Sequence, residues 1–248
     1  MKKLLYLFLT VLIVGCSGDA KKNDLTVLNL NGNVKSITET VFEAIEKFGE
    51  ITNGKIKYTY SFIFNNNGNK IEENYYEADG SLKNKQIYKY DDNGNMFEEN
   101  YYEADGSLGY KKIYKYDDKG NMFEGYSYEA DGSLGSKFIY KYDDNRNKIE
   151  DHIYKADGSL GSKNIYKYDD NGFQVYKKYG FNSTIKTDKY DDRGNKIETI
   201  YYWGDDKKGS KNTYKYDNDN RGNWINQVTY FDDLPFLITE REIEYYKP

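Results

Sequence analysis

Three consecutive stretches of this chain are near-copies of one another. Residues 87–112 read IYKYDDNGNMFEENYYEADGSLGYKK, residues 113–138 read IYKYDDKGNMFEGYSYEADGSLGSKF, and residues 139–164 read IYKYDDNRNKIEDHIYKADGSLGSKN, a period of 26 residues. A looser copy occupies 61–86, and LNGNVKSITE at 30–39 reads as a divergent first one. A unit this short cannot bury an apolar face alone, so the copies must stack on one another. Beyond Ile165 the pattern loosens: Tyr168 to Tyr190 is 22 residues, Tyr190 to Tyr216 is 26, and YDNDNRGN at 216–223 carries two extra residues.

Each copy holds two turn signals, Asn93-Gly94 and Asp105-Gly106 in the first, between runs rich in Tyr, Ile and Phe. Such dipeptides reverse an antiparallel chain, because Asn, Asp and Gly tolerate positive φ. With Asn93-Gly94 as a two-residue loop, Tyr90 faces Phe97 and Lys89 faces Glu98. The same rule pairs Lys115 with Glu124, Lys141 with Glu150 and Lys189 with Glu198. It also pairs Tyr116 with Phe123, Tyr142 with Ile149, Tyr168 with Val175 and Tyr190 with Ile197. Opposed cross-strand charges are each worth about 0.2–1 kcal/mol, and a bulged turn is expected to break them.

Alternation then places Tyr88, Tyr90, Phe97, Tyr101, Leu108, Tyr110, Tyr114 and Tyr116 on one face. Lys89, Glu98, Asn100, Lys111 and Lys115 lie on the other, with Ile87, Tyr102 and Ile113 among them. The expected fold is all-β: an antiparallel hairpin meander of about 16 strands, more than an open twisted sheet carries without curling. A one-sided aromatic face must be covered, so the sheet is expected to roll over it, a flat single layer being the rival.

The N-terminus carries an address. MKKLLYLFLTVLIVG at 1–15 has two lysines, an apolar run and a small residue before the cysteine, the layout of a signal peptide. Ile13-Val14-Gly15-Cys16 resembles the lipobox of bacterial lipoproteins, which implies cleavage before Cys16, its lipidation, and a membrane anchor. Residues 16–25 read as a tether, 26–248 as the repeat domain with its regular part at 61–164, its irregular part at 165–230 and a C-terminal cap at 222–248. The implied location is across the inner membrane, lipid-anchored at the outer membrane or cell surface.

Chemistry is sparse. A single Cys16 and a single His152 exclude an internal disulfide and a Cys/His metal cluster. Removing residues 1–15 leaves 34 basic against 41 acidic residues, -7, which gives nucleic-acid binding no support. Asp91-Asp92 recurs in turn after turn, so these acids read as turn formers rather than a catalytic pair. In DDNGN the glycine comes fourth, not sixth as in an EF-hand. His152 aligns with Asn100 and Tyr126 on the charged face. No catalytic residue, metal site or cofactor is expected; an enzyme would need acids that break the period inside one cleft, and the irregular block Gly204-Asp205-Asp206 is the place to look for them. Tyr102, Tyr128 and Tyr154, projecting among the charges, are the candidate partner contacts, because an aromatic face offers large area at low rotamer cost. Trp203 joins them from the irregular part, and Trp224 reads as closing the sheet edge.

At YDDNGN and YDDRGN (Tyr90 to Asn95, Tyr190 to Asn195) the chain resembles the YD repeats of Rhs-type proteins, whose hairpins form a spiralling shell. The resemblance spans about residues 28–246 and is nearest to small bacterial lipoproteins with such repeats. It departs from them in its longer period, in Asn145-Arg146 for Asn-Gly and in Phe173 for the turn Asn. It implies the hairpin architecture and not toxin encapsulation. The expected function is a non-catalytic, lipid-anchored envelope protein presenting a sheet surface to a protein or glycan. An alternative is an immunity-like component pairing with another YD-repeat protein through its sheet edge; a polysaccharide-processing enzyme is a third.

Overall fold

The computed structural model describes residues 23–179, 184–203 and 207–247. A one-turn helix α1 (Asp24–Val27) precedes β1 (Val34–Lys47), β2 (Glu50–Phe64), β3 (Lys70–Glu77), β4 (Leu82–Tyr90), β5 (Met96–Glu103), β6 (Leu108–Tyr116), β7 (Met122–Glu129) and β8 (Leu134–Tyr142). Then come β9 (Lys148–Lys155), β10 (Leu160–Tyr168), β11 (Gln174–Tyr179), β12 (Thr184–Tyr190), β13 (Lys196–Trp203), β14 (Lys207–Asn218), β15 (Trp224–Phe231) and β16 (Leu234–Tyr245). The 16 strands pair in sequence order, and β16 returns to β1 to close a barrel. The rolled all-β meander expected from the repeat is present. Ile37 faces Ile243 and Val41 faces Thr239 across the closing seam. Residues 224–245 thus supply the last two staves and pair with the first. Closure also uses the edge on which the alternative of edge-to-edge pairing depended, since every strand has two neighbours.

The repeat turns are not the two-residue loops expected. In the β4–β5 hairpin the Asp91 N–H donates to the Asn95 carbonyl and the Gly94 N–H to the Asp91 carbonyl, both at 2.9 Å. Gly94 alone has positive φ, at 72°. This is a three-residue type I turn closed by a glycine bulge. Asp91 selects it, because its Oδ1 accepts from the Asn93 and Asn95 N–H groups at 3.0 and 2.7 Å. Genuine two-residue primed turns occur instead at Phe48-Gly49 and Asp232-Asp233, where both residues have positive φ.

A second register shift follows each repeat turn and cancels the first. Lys89 therefore still faces Glu98, but Tyr90 faces Met96 and Phe97 has no residue opposite. The same correction replaces Tyr116–Phe123, Tyr142–Ile149, Tyr168–Val175 and Tyr190–Ile197 by Tyr116–Met122, Tyr142–Lys148, Tyr168–Gln174 and Tyr190–Lys196. Phe97, Phe123, Ile149 and Ile197 are consequently exposed rather than in a core. The charge pairs survive bulged turns because two bulges restore the register. At the other end Tyr101 faces Tyr110, but Tyr102 faces Leu108, so Leu108 joins the charged face.

Residues 23–33 form a strap across one mouth. Leu25 N–H donates to Gly68 in the β2–β3 turn at 3.1 Å, Asn29 Nδ2 to the Arg193 carbonyl in the β12–β13 turn at 2.6 Å, and Asn31 N–H to Asn223 Oδ1 in the β14–β15 turn at 2.7 Å. Asn23 caps α1 by accepting from the Thr26 N–H. Beneath the strap Leu25 and Leu30 pack with Val34, Ile37 and Phe64, the buried apolar cluster of the barrel. Asp24 Oδ2 accepts from the Tyr90 hydroxyl and the Lys70 N–H, each at 2.8 Å. The face of Tyr90 and Ile37 is therefore the lumen, and the face of Lys89 and Glu98 is the outside.

Candidate functional site

The outer wall is built from the repeat. Glu98 holds Lys89 and Lys111, each at 2.8 Å. Glu124 holds Lys115 at 2.9 Å and Lys137 at 2.8 Å. Glu150 holds Lys141 at 2.8 Å and Lys163 at 2.7 Å. The paired ammonium groups, Lys111 ahead of Lys89, Lys137 ahead of Lys115 and Lys141 ahead of Lys163, hold these three carboxyls down to about 2. His152 continues the row of Asn100 and Tyr126, with Nε2 2.7 Å from Glu150 Oε1.

Tyr102, Tyr128 and Tyr154 occupy equivalent outer positions on β5, β7 and β9. Across one neighbour they face Lys85, Lys111 and Lys137; across the other they face Leu108, Leu134 and Leu160. The bulge that moved the leucines outward thus sets an aliphatic side chain beside each tyrosine. Around Tyr154 this leaves a groove of about 300 Å³ lined by Leu134, Lys137, Ile139, Lys155, Ala156 and Gly158. Between the rows, Tyr126 lies under Lys115 at 5.0 Å and Lys137 at 5.6 Å from its ring centroid, and it stacks with Tyr128 at 6.4 Å.

Trp203 is not on this row. It sits at the end of β13 opposite Lys207, 54% exposed, its indole lying over Gly209. The residues that extend the row are Tyr76, opposite Leu82, and Tyr202, opposite Ile185. Sequence reasoning passed over both, although each is the second Tyr of a Tyr-Tyr pair in the repeat position of Tyr102. Alternation without the bulge puts Leu108 on the aromatic face; the structure sets it, with Leu134 and Leu160, beside the outer tyrosines. Gly204-Asp205-Asp206 and Cys16 lie outside the described residues.

The lumen is polar and its groups satisfy one another. Tyr88 OH donates to Glu73 Oε2 at 3.1 Å, Tyr114 OH to Glu99 Oε2 at 2.8 Å and Tyr166 OH to Asp151 Oδ2 at 2.5 Å. Lysines neutralise the acids: Lys112 on Glu99 at 2.9 Å and Lys186 on Asp188 at 2.9 Å. Burial, reinforced by Glu73 and Glu99, pushes the Tyr88 and Tyr114 hydroxyls far above their ordinary range. Nearer the strap, Tyr116, Tyr168 and Tyr216 hydroxyls donate to the Met96, Lys148 and Lys196 carbonyls one hairpin back. This ladder ties neighbouring copies together; its acids are each held by cations and hydroxyls.

No protein-family model matches the chain, and no curated protein matches it. Among solved structures it is similar to a porin-like protein from Bacteroides uniformis, with TM-score 0.56 and 14% identity over 85% of this chain and 96% of that one. That likeness is one of fold. A Tc holotoxin pore from Photorhabdus luminescens also aligns, with TM-score 0.32 and 11% identity over 78% of this chain and 13% of that one. The second match is too loose to carry the shell geometry over, and the hairpins here close on themselves.

Proposed function

We propose that this is a non-catalytic, lipid-anchored cell-envelope protein whose barrel stands in water and offers its outer tyrosine row to a protein or glycan partner. The observation that carries the reading is the composition of the outer wall. A barrel that crosses a bilayer presents an apolar band about 25 Å tall to lipid. Strands β3 to β10 have only 8 or 9 residues. At a rise of about 3.3 Å and a tilt near 40° they reach a height of roughly 20–23 Å. Lys111 and Lys137 stand mid-strand on the outside, and a lysine near the bilayer midplane costs about 2–4 kcal/mol each. The same lysines are at home in water.

The membrane connection is then Cys16. It precedes Asn23 by 7 residues, a reach of at most about 25 Å, and Asn23 lies at the strapped mouth. That mouth faces the membrane, and the Asp-Gly turns beside the tyrosine row point away from it. Two measurements test the reading. Cys16→Ala should release the protein from the membrane fraction. Replacing Tyr102, Tyr128 and Tyr154 together by Ala should abolish retention on immobilised envelope glycans and proteins while melting stays unchanged; equal retention of both forms overturns it.

A further inference from the structure

We infer that the lumen face of β9–β13 binds a compact dianion of the phosphate class, held among Lys148, Lys177, Lys186 and Lys196. This site is independent of the outer tyrosine row. The register puts all four lysines inside the barrel. Lys177 lies opposite the lumenal Tyr166 across one neighbour and opposite Lys186 across the other, and Lys196 lies opposite the lumenal Tyr190. From β9 and β11, Lys148 and Lys177 approach the same Tyr166 ring, 4.6 and 5.3 Å from its centroid.

Positive charge is in excess on this part of the wall. Among the described lumen-facing residues of β9–β13 are five lysines, the four above and Lys155 at the open rim, against two acids, Asp151 and Asp188. Both acids are already held. Asp151 accepts from the Tyr166 hydroxyl at 2.5 Å and Asn164 Nδ2 at 2.7 Å, with Lys148 at 3.4 Å. Asp188 accepts from the Thr199 hydroxyl at 2.6 Å, with Lys186 at 2.9 Å and Lys196 at 3.1 Å. The next acids along the wall are taken up as well, Glu99 by Lys112 and Asp169 by N–H groups of its own turn. The rim acids Glu77, Glu103 and Glu129 stand on β3, β5 and β7, outside this sector.

The repeat is broken at the same place. Glu73, Glu99 and Asp151 precede Lys177 at multiples of the 26-residue period, with Gly125 at the remaining position. Lys177 thus reverses the charge that three copies carry, and it directly faces Lys186, an opposition of like charges that weakens a sheet. Burial, then Lys148 and Lys186, pulls the Lys177 ammonium below its ordinary range. Burial does the same at Lys196, outweighing Asp188. A bound anion relieves this crowding. The lysines are also within reach of one: a barrel of 16 strands encloses water rather than a packed core, and Lys148 and Lys196 keep 33% and 31% of their side-chain surface exposed to it. From four strands of a concave wall they present donors on several sides of one small ion. That suits a tetrahedral phosphate better than a planar carboxylate, and lysine serves phosphate as a point charge.

The test is titration calorimetry of the full chain in detergent with inorganic phosphate, and with glycerol phosphate to separate the free ion from a phosphate ester. Saturable binding of one phosphate per chain is expected, and whichever of the two binds more tightly identifies the form the site takes. Lys177→Glu restores the acid of the earlier copies, so it should fold with an unchanged or higher Tm and bind phosphate at least about tenfold more weakly. Lys35→Gln, which removes a surface lysine paired with Glu244, should leave phosphate binding as it is. Nitrate binding as tightly as phosphate at equal ionic strength, an unaltered Kd in Lys177→Glu, or no binding of either phosphate overturns the inference. Each of those results leaves the outer tyrosine row, and the function proposed for it, standing.

Discussion

Arg146 occupies a backbone position that glycine fills in the equivalent turns, and replacing it tests the turn chemistry that organises the barrel. Its φ is 65°, against 72° at Gly94 and 80° at Gly120 and Gly172. The turn is otherwise unchanged, with the Arg146 N–H donating to the Asp143 carbonyl at 3.0 Å. An L-residue in the left-handed region is strained by roughly 1–2 kcal/mol. Arg146→Gly removes that strain but gives the unfolded chain more freedom, worth about 0.5–1 kcal/mol in the opposite sense. The balance is a gain of about 0.5–1 kcal/mol, which in a domain of this size raises Tm by about 1–4 °C. Gly172→Arg is the reverse experiment. A Cβ at Gly172 meets nothing within 4 Å, so its loss is conformational alone and should mirror the gain. Circular-dichroism melts and urea midpoints at constant m measure both. If Arg146→Gly is neutral or destabilising and Gly172→Arg is neutral, positive φ is not what these turns require, and the account of the turn is wrong.

Two further predictions concern the wall and the strap. Glu98, Glu124 and Glu150 titrate near 2 in the folded chain and near 4.3 unfolded; the unfolded state binds protons first, so their contribution is complete above about pH 5 and is lost as pH falls toward 2. With six screened pairs at about 0.5 kcal/mol each the loss from these three is about 3 kcal/mol, part of a fall in Tm from pH 6 to 2.5 from which Glu124→Gln removes the share of its two pairs, about 1 kcal/mol; a pH-independent Tm would refute it. Asn223 is 1% exposed and bonds the strap on both sides, accepting from Asn31 N–H at 2.7 Å and donating to the Asn31 carbonyl at 2.9 Å. Asn223→Ala should cost about 2–3 kcal/mol through the unpaired groups and speed amide exchange over residues 23–33 while strand amides stay protected; unaltered exchange there would show that the strap is held by other means.

Much of this molecule is written in short-range pattern. The 26-residue period, the two turns per copy and the alternation of Tyr88 and Tyr114 with Lys89 and Lys115 specify hairpins, their number and which face is aromatic. The opposition of Lys89 to Glu98 also follows, because cross-strand neighbours a few residues apart are decided by local geometry. The turn type was legible too, though in a different signal from the Asn-Gly pair. An aspartate three residues before the glycine, as Asp91 is before Gly94, marks a type I turn with a bulge, since its carboxylate takes the loop N–H groups. Reading the dipeptide alone put Phe97 and Leu108 on the wrong face, and so hid the leucines that stand beside the tyrosine row.

Other features exist only in the closed barrel. Pairing of Val41 with Thr239 joins residues nearly the whole chain apart, and no local propensity encodes it; it results from twist and curl accumulated over 16 strands until the last edge meets the first. The strap is of the same kind: Asn29 and Asn31 are unremarkable until closure brings the Arg193 and Asn223 turns to one mouth. The row formed by Tyr102, Tyr128 and Tyr154 stands between these cases. The sequence by itself determined that these residues are equivalent and face outward. Only the tertiary structure decided that they stand in line beside leucines and lysines, because that alignment depends on bulges, register and curvature shared by all the strands at once.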